Sequence, residues 1–388
     1  MPMRVLITSP TYPPFNSGLG NAVQRQAMAI AADGFEVVVA TGGPARQSGQ
    51  DEASGAWIEH FNVSGADYAA NPIRGDIASY EDFLLKSEFD VVLMNAWQNW
   101  ATDLCLGLAD RMAGRKLLLS HCLSTDAFFW HRPLRSLVRY LLWRPYRWRL
   151  PALLRRLDGM IVLSDSGCDS RFADVAVARR LGMRLAVIPN ALSSPAVRYL
   201  GGESAAAKRC DRIIAVGSYD WQKGHDFVLR AYAASLARNR IPLRIFGQSF
   251  TPFTDRLRHL ADDLHIDSEY VRFGEGVSGD ALFEEIASAR ILVSGSHTEC
   301  QPLVLLDSMA AGTPFVARST GCIPALPGGL AVTSVAQAAS AINELLAEES
   351  RWLGTSSAGM DAARRVFHPD VVGRALVGEL RHVLEAAT

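Results

Sequence analysis

The sequence predicts an α/β protein of two doubly wound, Rossmann-like domains. Three observations carry that expectation. The chain has 388 residues, more than one hydrophobic core serves well. Short β-branched runs alternate with amphipathic stretches, the pattern of a parallel sheet covered on both faces. The pattern also pauses in a stretch rich in Ser, Ala and Gly (residues 190–211) and then restarts.

In chain order, "RVLITS" (4–9) is the first strand. "NAVQRQAMAIAADG" (21–34) follows as a helix, with Asn21 as its N-cap and Gly34 as its stop. "FEVVVAT" (35–41), "DVVLMNA" (90–96), "KLLLSH" (116–121), "GMIVLS" (159–164) and "RLAVIPNA" (184–191) continue the first series of strands. "DRIIAVGS" (211–218) opens the second, before the helical "HDFVLRAYAASLAR". "LRIFGQ" (243–248), "YVRFGEG" (270–276), "RILVSG" (290–295), "TPFVAR" (313–318) and "LAVTS" (330–334) complete it. The expected domains are 1–195 and 196–388, with the C-terminal helix able to cross back. Ligands of such sheets sit beyond the carboxyl ends of the strands, so two facing domains would enclose a cleft there.

Composition excludes several classes. The chain is 49% hydrophobic and 20% charged, with a formal net charge of −1, so nothing global suggests nucleic-acid binding. "MPMRVLITSP" lacks the layout of a signal peptide, and no apolar run approaches the roughly 18 residues of a membrane span. The six cysteines are scattered without a Cys-x-x-Cys pair, which suits reduced thiols in a cytoplasmic protein.

Four places can carry chemistry. Gly18 and Gly20 follow the first strand, where glycine lets backbone approach a ligand and a helix N-terminus favours an anion; an ordinary strand-to-helix turn reads the same way. His121 ends a strand as an acid/base or hydrogen-bonding group or a merely satisfied histidine, with His131 a weaker candidate. Lys223, one of four lysines in an arginine-rich chain, opens a helix in "VGSYDWQKGHDF" and can reach a phosphate as a point charge, or be simply solvated. The strongest local signal is "SHTECQPLVLLDSMAAGTP". Pro302 suits its first helical position and Gly312 its stop. Glu299 and Asp307, separated by seven uncharged residues, can each accept hydrogen bonds from sugar hydroxyls. A solvated glutamate and a polar residue on an exposed face are the plain alternative.

Taken in order, "YPPFNSGLGNAV", His121, "VIPNAL", "VGSYDWQKG", "ECQPLVLLDSMAAGTPFVA" and "TGCIPAL" resemble the GT-B glycosyltransferases, specifically the retaining family 4. The resemblance covers most of the chain. It implies two Rossmann-like domains, a nucleotide-diphosphate sugar held mostly by the second, and an acceptor held mostly by the first. On that resemblance Glu299 contacts the donor sugar, Asp307 the ribose, and Lys223 the leaving diphosphate. Gly18, Gly20, Gly217, Ser218, Leu303 and Val304 complete the donor-binding set, and His121 stands beside the reacting sugar. No metal or other cofactor is implied, and the chain has no Asp-x-Asp.

Three departures stand out. The family's usual Gly-Arg is Gly217-Ser218, its second acid is Asp307 rather than Glu, and Glu-Gly-Phe-Gly reads Glu299-Cys300-Gln301-Pro302. They point to altered sugar preference rather than lost activity, since Glu299 and Lys223 are present. A nucleotide-sugar epimerase of similar fold and a non-catalytic nucleotide-sugar-binding protein are the alternatives.

Residues 130–157 add a partner. Eight arginines and no acid lie between Asp126 and Asp158, interleaved with tryptophans and tyrosines. Leu134, Val138 and Leu141 share one helical face, while Arg132, Arg135 and Arg139 share another. With Arg144 and Arg147 they suit an anionic membrane surface and a glycan or lipid-linked acceptor. A helix packed on the domain with solvated arginines is the bland reading. The expected setting is cytoplasmic, peripheral on the inner face of the plasma membrane.

Overall fold

The computed structural model describes residues 2–15, 17–123, 133–165, 172–202 and 209–386. The chain divides into two compact units, Met1–Ala191 with Pro369–Thr388, and Leu192–His368.

In the first unit the elements run β1 (Arg4–Thr8), α1 (Gly18–Ala32), β2 (Glu36–Gly42), β3 (Gln47–Gln50), β4 (Trp57–Phe61), β5 (Val63–Ser64), β6 (Arg74–Gly75), α2 (Ile77–Lys86), β7 (Val91–Asn95), α3 (Trp100–Leu108), β8 (Arg115–Ser120), α4 (Pro133–Leu154), β9 (Gly159–Val162), α5 (Ala173–Arg180) and β10 (Leu185–Val187). Among the described residues the main sheet has the order β10-β9-β8-β7-β1-β2-β4-β3. Only β3 runs antiparallel within it, against β4. Val5, Leu6 and Ile7 of β1 are fully buried, as a central parallel strand requires. The strand β4, "WIEHF", carries a charged residue and begins at an exposed Trp57, and β5 and β6 have two residues each. None of β3–β6 has the apolar run that marks a strand in sequence.

The helix α1 begins three residues earlier than its sequence suggests. Ser17, not Asn21, is the N-cap: its Oγ accepts a hydrogen bond from the N–H of Gly20 at 2.9 Å, and Asn21 lies within the first turn. The buried face, Ala22, Val23, Gln26, Ala27 and Ile30, follows helical spacing. The C-terminal helix Pro369–Glu385 belongs to this unit, so the second domain does not run unbroken to the end. A Cβ on its Gly373 would stand 2.9 Å from the Ala29 Cβ, so the two backbones approach closely. Arg184 donates twice to Glu379, at 2.7 Å each, and Arg381 pairs with Asp33.

In the second unit the elements are α6 (Ser194–Leu200), β11 (Ile213–Val216), α7 (His225–Ala234), β12 (Leu243–Gly247), α8 (Pro252–Asp263), β13 (Val271–Glu275), α9 (Gly279–Ser288), β14 (Ile291–Ser294), α10 (Leu303–Ala310), β15 (Phe315–Arg318), β16 (Gly329–Val332), α11 (Val335–Ala347) and α12 (Glu349–Arg365). The helix α6 occupies part of the stretch read from sequence as a linker. The sheet order is β13-β12-β11-β14-β15-β16, all parallel. The chain leaves β11 in one direction and returns to β14 on its other side. That reversal opens a crevice at the carboxyl ends of β11 and β14, where doubly wound sheets bind ligands. In the first unit the same reversal lies between β1 and β7.

Candidate functional site

The crevice of the second unit brings Lys223 and Glu299 together across 76 residues of chain. Lys223 Nζ lies 2.7 Å from Glu299 Oε1. Two glycines make this meeting possible. Gly224 has φ +61°, and a Cβ there would overlap the carbonyl oxygen of Gly295, just past β14. Gly224→Ala combines backbone strain with that overlap, so we expect it to lower stability by about 2 kcal/mol in urea unfolding. The loss should appear without any ligand present.

The turn carrying Lys223 is built by Asp220. Its Oδ1 accepts from the N–H groups of Gln222 and Lys223, at 2.8 and 3.2 Å. Ser218, standing where an arginine was expected, donates to Asp220 Oδ2 and locks the turn. Lys223 closes a short 3-10 turn (Trp221–Lys223) before α7, and its stem packs against Gly217, whose Cβ would stand 3.2 Å from Lys223 Cγ. Beneath it, buried His225 donates from Nε2 to the Gly217 carbonyl at 3.0 Å, and burial pushes its pKa down.

The Glu299 loop is propped on two sides. The Glu299 N–H donates to Thr320 Oγ1 at 3.4 Å, and the Cys322 N–H to the Cys300 carbonyl at 2.9 Å. The His297 N–H donates to the Gln222 carbonyl at 2.8 Å, and Arg318 donates to His297 Nδ1 at 2.8 Å. The Arg318 guanidinium also lies over the Phe227 ring. His225, Thr320 and Arg318 were not singled out in the sequence, because their partners are distant along the chain.

Pro302 is the N-cap of α10 rather than its first helical residue, and no side chain caps the helix. The first-turn residues Leu303 and Val304 are half-buried and their N–H groups face the loop end of the helix. Asp307, one turn further in, accepts from the Ser193 N–H at 3.2 Å, so part of its carboxylate holds the entry to α6. The second unit therefore offers an ammonium group, a carboxylate and an open helix N-terminus within one crevice.

In the first unit Gly20 is tightly enclosed. A Cβ there would stand 3.2 Å from the Thr11 oxygen and from Tyr12 Cα, whereas Gly18 has open space. Gly20's own N–H is spent on Ser17. His121 follows β8 directly. Its Nε2 is buried without a hydrogen-bond partner among the described residues, and burial pushes its pKa down to about 4, so the ring is neutral at pH 7. His131 lies outside the described residues.

The loops around His121 contain groups the sequence reading missed. Ala96, Gln98 and Cys122 all have φ near +60°, unusual for residues with a side chain. The Asn99 side chain clamps the first of these loops: its Nδ2 donates to the Ala96 carbonyl at 2.9 Å, and its Oδ1 caps α3. Buried Asp174 accepts from Trp97 Nε1, at 2.8 Å, and from Ser120 Oγ. Ser120 Oγ in turn accepts from the Cys122 N–H at 3.1 Å. The polar residue ending an apolar strand in "VVLMNAWQN" was the one available signal.

The helix α4 has an inverted surface. It is anchored by Trp143, stacked on Tyr68 at 4.2 Å, and by Tyr146, whose hydroxyl donates to Asp103 Oδ1 at 2.8 Å. Its apolar stripe is exposed: Leu134 at 77%, Val138 at 55%, Leu141 at 53%, with Trp148 at 69%. Arg135, Arg144 and Arg147 are exposed as well, and Arg139 is half-buried. The stripe therefore does not pack on its own domain. No described helix is long and apolar enough to cross a membrane.

Asp103 gives this anchor a pH signature. Burial raises its pKa to about 6, against hydrogen bonds from the Asp67 N–H and Tyr146 that lower it. The unfolded chain releases this proton near pH 4. Between those values the folded state holds the extra proton, so this contribution to stability falls as pH rises from about 4 to about 6. We expect a loss on the order of 2 kcal/mol across that window in the wild type. Asp103→Asn should lack it, as urea midpoints at the two ends of the window would show.

Among the described residues no group of three His, Cys, Asp or Glu side chains could hold a metal ion. The family model described as "Glycosyl transferases group 1" matches residues 210–348. The D-inositol 3-phosphate glycosyltransferase of Acidothermus cellulolyticus is 33% identical over 154 residues, 36% of this chain and 34% of that protein. A GDP-mannose-dependent alpha-(1-6)-phosphatidylinositol monomannoside mannosyltransferase of Mycobacterium tuberculosis is 28% identical over 198 residues, 47% of this chain and 49% of that protein. The chain spans between about a quarter and a half of the length of the curated relatives it matches. Among solved structures, sucrose-phosphate synthase from Thermosynechococcus elongatus aligns over 100% of both chains with TM-score 0.75 at 18% identity. HepE of Anabaena in complex with UDP-glucose aligns over 98% of this chain and 100% of that one, with TM-score 0.67 at 15% identity. The fold is thus GT-B, with two Rossmann-like domains.

Proposed function

We propose that this chain transfers a sugar from a nucleotide-diphosphate donor to a hydroxyl acceptor, with retention of configuration. The observation that carries the reading is the Lys223–Glu299 pair beside the open N-terminus of α10, within the segment that matches the glycosyltransferase model. In the reaction the bond from the sugar C1 to the diphosphate oxygen breaks and a bond from C1 to the acceptor oxygen forms. The acceptor hydroxyl passes its proton to the departing diphosphate oxygen, and the nucleoside diphosphate leaves with the bonding pair. Lys223 and the N–H groups of Leu303 and Val304 would stabilise the charge that develops on the diphosphate. Glu299, held by Lys223, would accept hydrogen bonds from donor sugar hydroxyls, and Asp307 would take the ribose. Gly217 and Ser218 would shape the phosphate turn, and Gly18 and Gly20 the first unit's loop. His121, neutral at pH 7, would offer a hydrogen bond rather than a charge. No metal is required in this scheme, because the ammonium group and helix end supply the positive charge.

We further infer a lipid-linked acceptor and peripheral attachment to an anionic membrane face. The exposed apolar and arginine-rich surface of α4 supports this, as does the phosphatidylinositol mannoside named for the mycobacterial relative. UDP and GDP sugars are the donors to try first, since HepE was solved with UDP-glucose and that relative is named for GDP-mannose.

Calorimetry with the bare nucleoside diphosphate and with the intact donor tests the donor assignment. Glu299→Ala should lose the increment contributed by the sugar and keep nucleotide binding. Asp307→Ala should weaken the bare nucleotide. Equal losses for both ligands in both variants would refute the division of labour.

A further inference from the structure

A cavity of about 490 Å³ lies in the first unit at the amino ends of the strands, opposite the edge that carries Gly20 and His121. It is bounded by the starts of β1, β2 and β4, and its volume is within the range of small-molecule pockets. We propose that it is a second carbohydrate site, which takes a neutral pyranose unit of a glycan. The inference goes beyond sugar transfer and does not depend on it.

Trp57 is the platform. It is 47% exposed, yet its indole is fixed, because Nε1 donates to Glu59 Oε1 at 2.8 Å. Glu59 is itself held by Ser48 Oγ at 2.8 Å and Arg46 at 2.6 Å, and Arg46 lies over the Phe61 ring. An exposed aromatic face that is already ordered stacks on the C–H face of a sugar ring at little entropic cost. Phe35, Phe83 and Phe89 supply further apolar wall.

The polar rim is electrically balanced. Arg4 pairs with Glu36 at 2.9 Å and donates to the Glu88 carbonyl at 2.7 Å, and Glu59 is matched by Arg46. Among the described residues no uncompensated charge lines the cavity, which disfavours a phosphate or a carboxylate as ligand. Glu36 is about half exposed, and Gln50 donates to the Gly55 carbonyl at 3.3 Å. The outward oxygens of both side chains can accept from ligand hydroxyls. A ligand with an apolar face, a hydroxylated edge and no charge fits this set.

Saturation-transfer NMR with cellotetraose, maltotetraose and α-linked mannotetraose at millimolar concentration is the test, without nucleotide. At least one probe should bind the wild type. Trp57→Ala should weaken it about tenfold or more, and Trp57→Phe should retain most of the affinity. Glu299→Ala should bind as the wild type does, which separates this site from the donor crevice. Absence of transfer to all three probes, or undiminished binding by a folded Trp57→Ala variant, would overturn the proposal.

Discussion

Lys223→Ala is expected to lower sugar transfer about a hundredfold while leaving the fold intact. Removing one preorganised charge from a developing oxyanion costs on the order of 3 kcal/mol in the barrier. Ser218, where the family's arginine would stand, is neutral and bonded to Asp220, and among the described residues the nearby Arg318 is spent on His297 and the Phe227 ring. Lys223 is also partly exposed and its backbone is held by Asp220, not by its own side chain, so truncation should disturb the turn little. The effect should fall mainly on turnover, because the charge on the diphosphate grows as the bond breaks. Single-turnover rates and thermal midpoints, measured on the same preparations, decide the matter. Wild-type turnover in a folded variant would remove Lys223 from the phosphate role.

The replacement of Arg135, Arg139, Arg144 and Arg147 by glutamine should abolish sedimentation with anionic vesicles at low salt. Each basic residue near such a surface contributes about 1 kcal/mol, so the four together are worth up to a thousandfold in partitioning. Arg139 is half-buried and should contribute the least. Leu134, Val138, Leu141 and Trp148 would insert beside the charges, so high salt should weaken wild-type binding without eliminating it. Since three of these arginines are exposed and none is part of the core, the variant should fold normally. If the wild type stays in the supernatant at low salt, or the variant sediments equally well, α4 does not contact lipid and the lipid-linked acceptor loses its main support.

The reach of sequence reasoning follows the range of the forces involved. Strands β1, β2 and β7–β16 were legible because strands of a parallel sheet carry short β-branched or apolar runs, fully buried in central strands such as β1, β7 and β14, and that signal is local. The short or charged strands β3–β6 were not, since pairing with a neighbour rather than composition makes them strands. Lys223, Glu299 and Asp307 could be singled out from their places at strand ends and in a helix. Their sequence did not say which would touch. The tertiary structure decided that, because Gly224 and Gly295 let two turns meet without side chains between them.

The same holds for Ser17 over Asn21 as a cap: Ser17 Oγ, within 2.8 Å of Thr11 Oγ1, accepts from the Gly20 N–H. It holds for Asp174, which is one more acid in sequence and in the fold joins Trp97 to Ser120. The return of Pro369–Glu385 to the first unit rests on partners such as Glu379 and Arg184, 195 residues apart. The sequence by itself determined the alternation of elements and the kinds of chemistry at their ends. Which distant ends share a crevice, and which face of α4 is left exposed, depended on packing between segments that local periodicity does not encode.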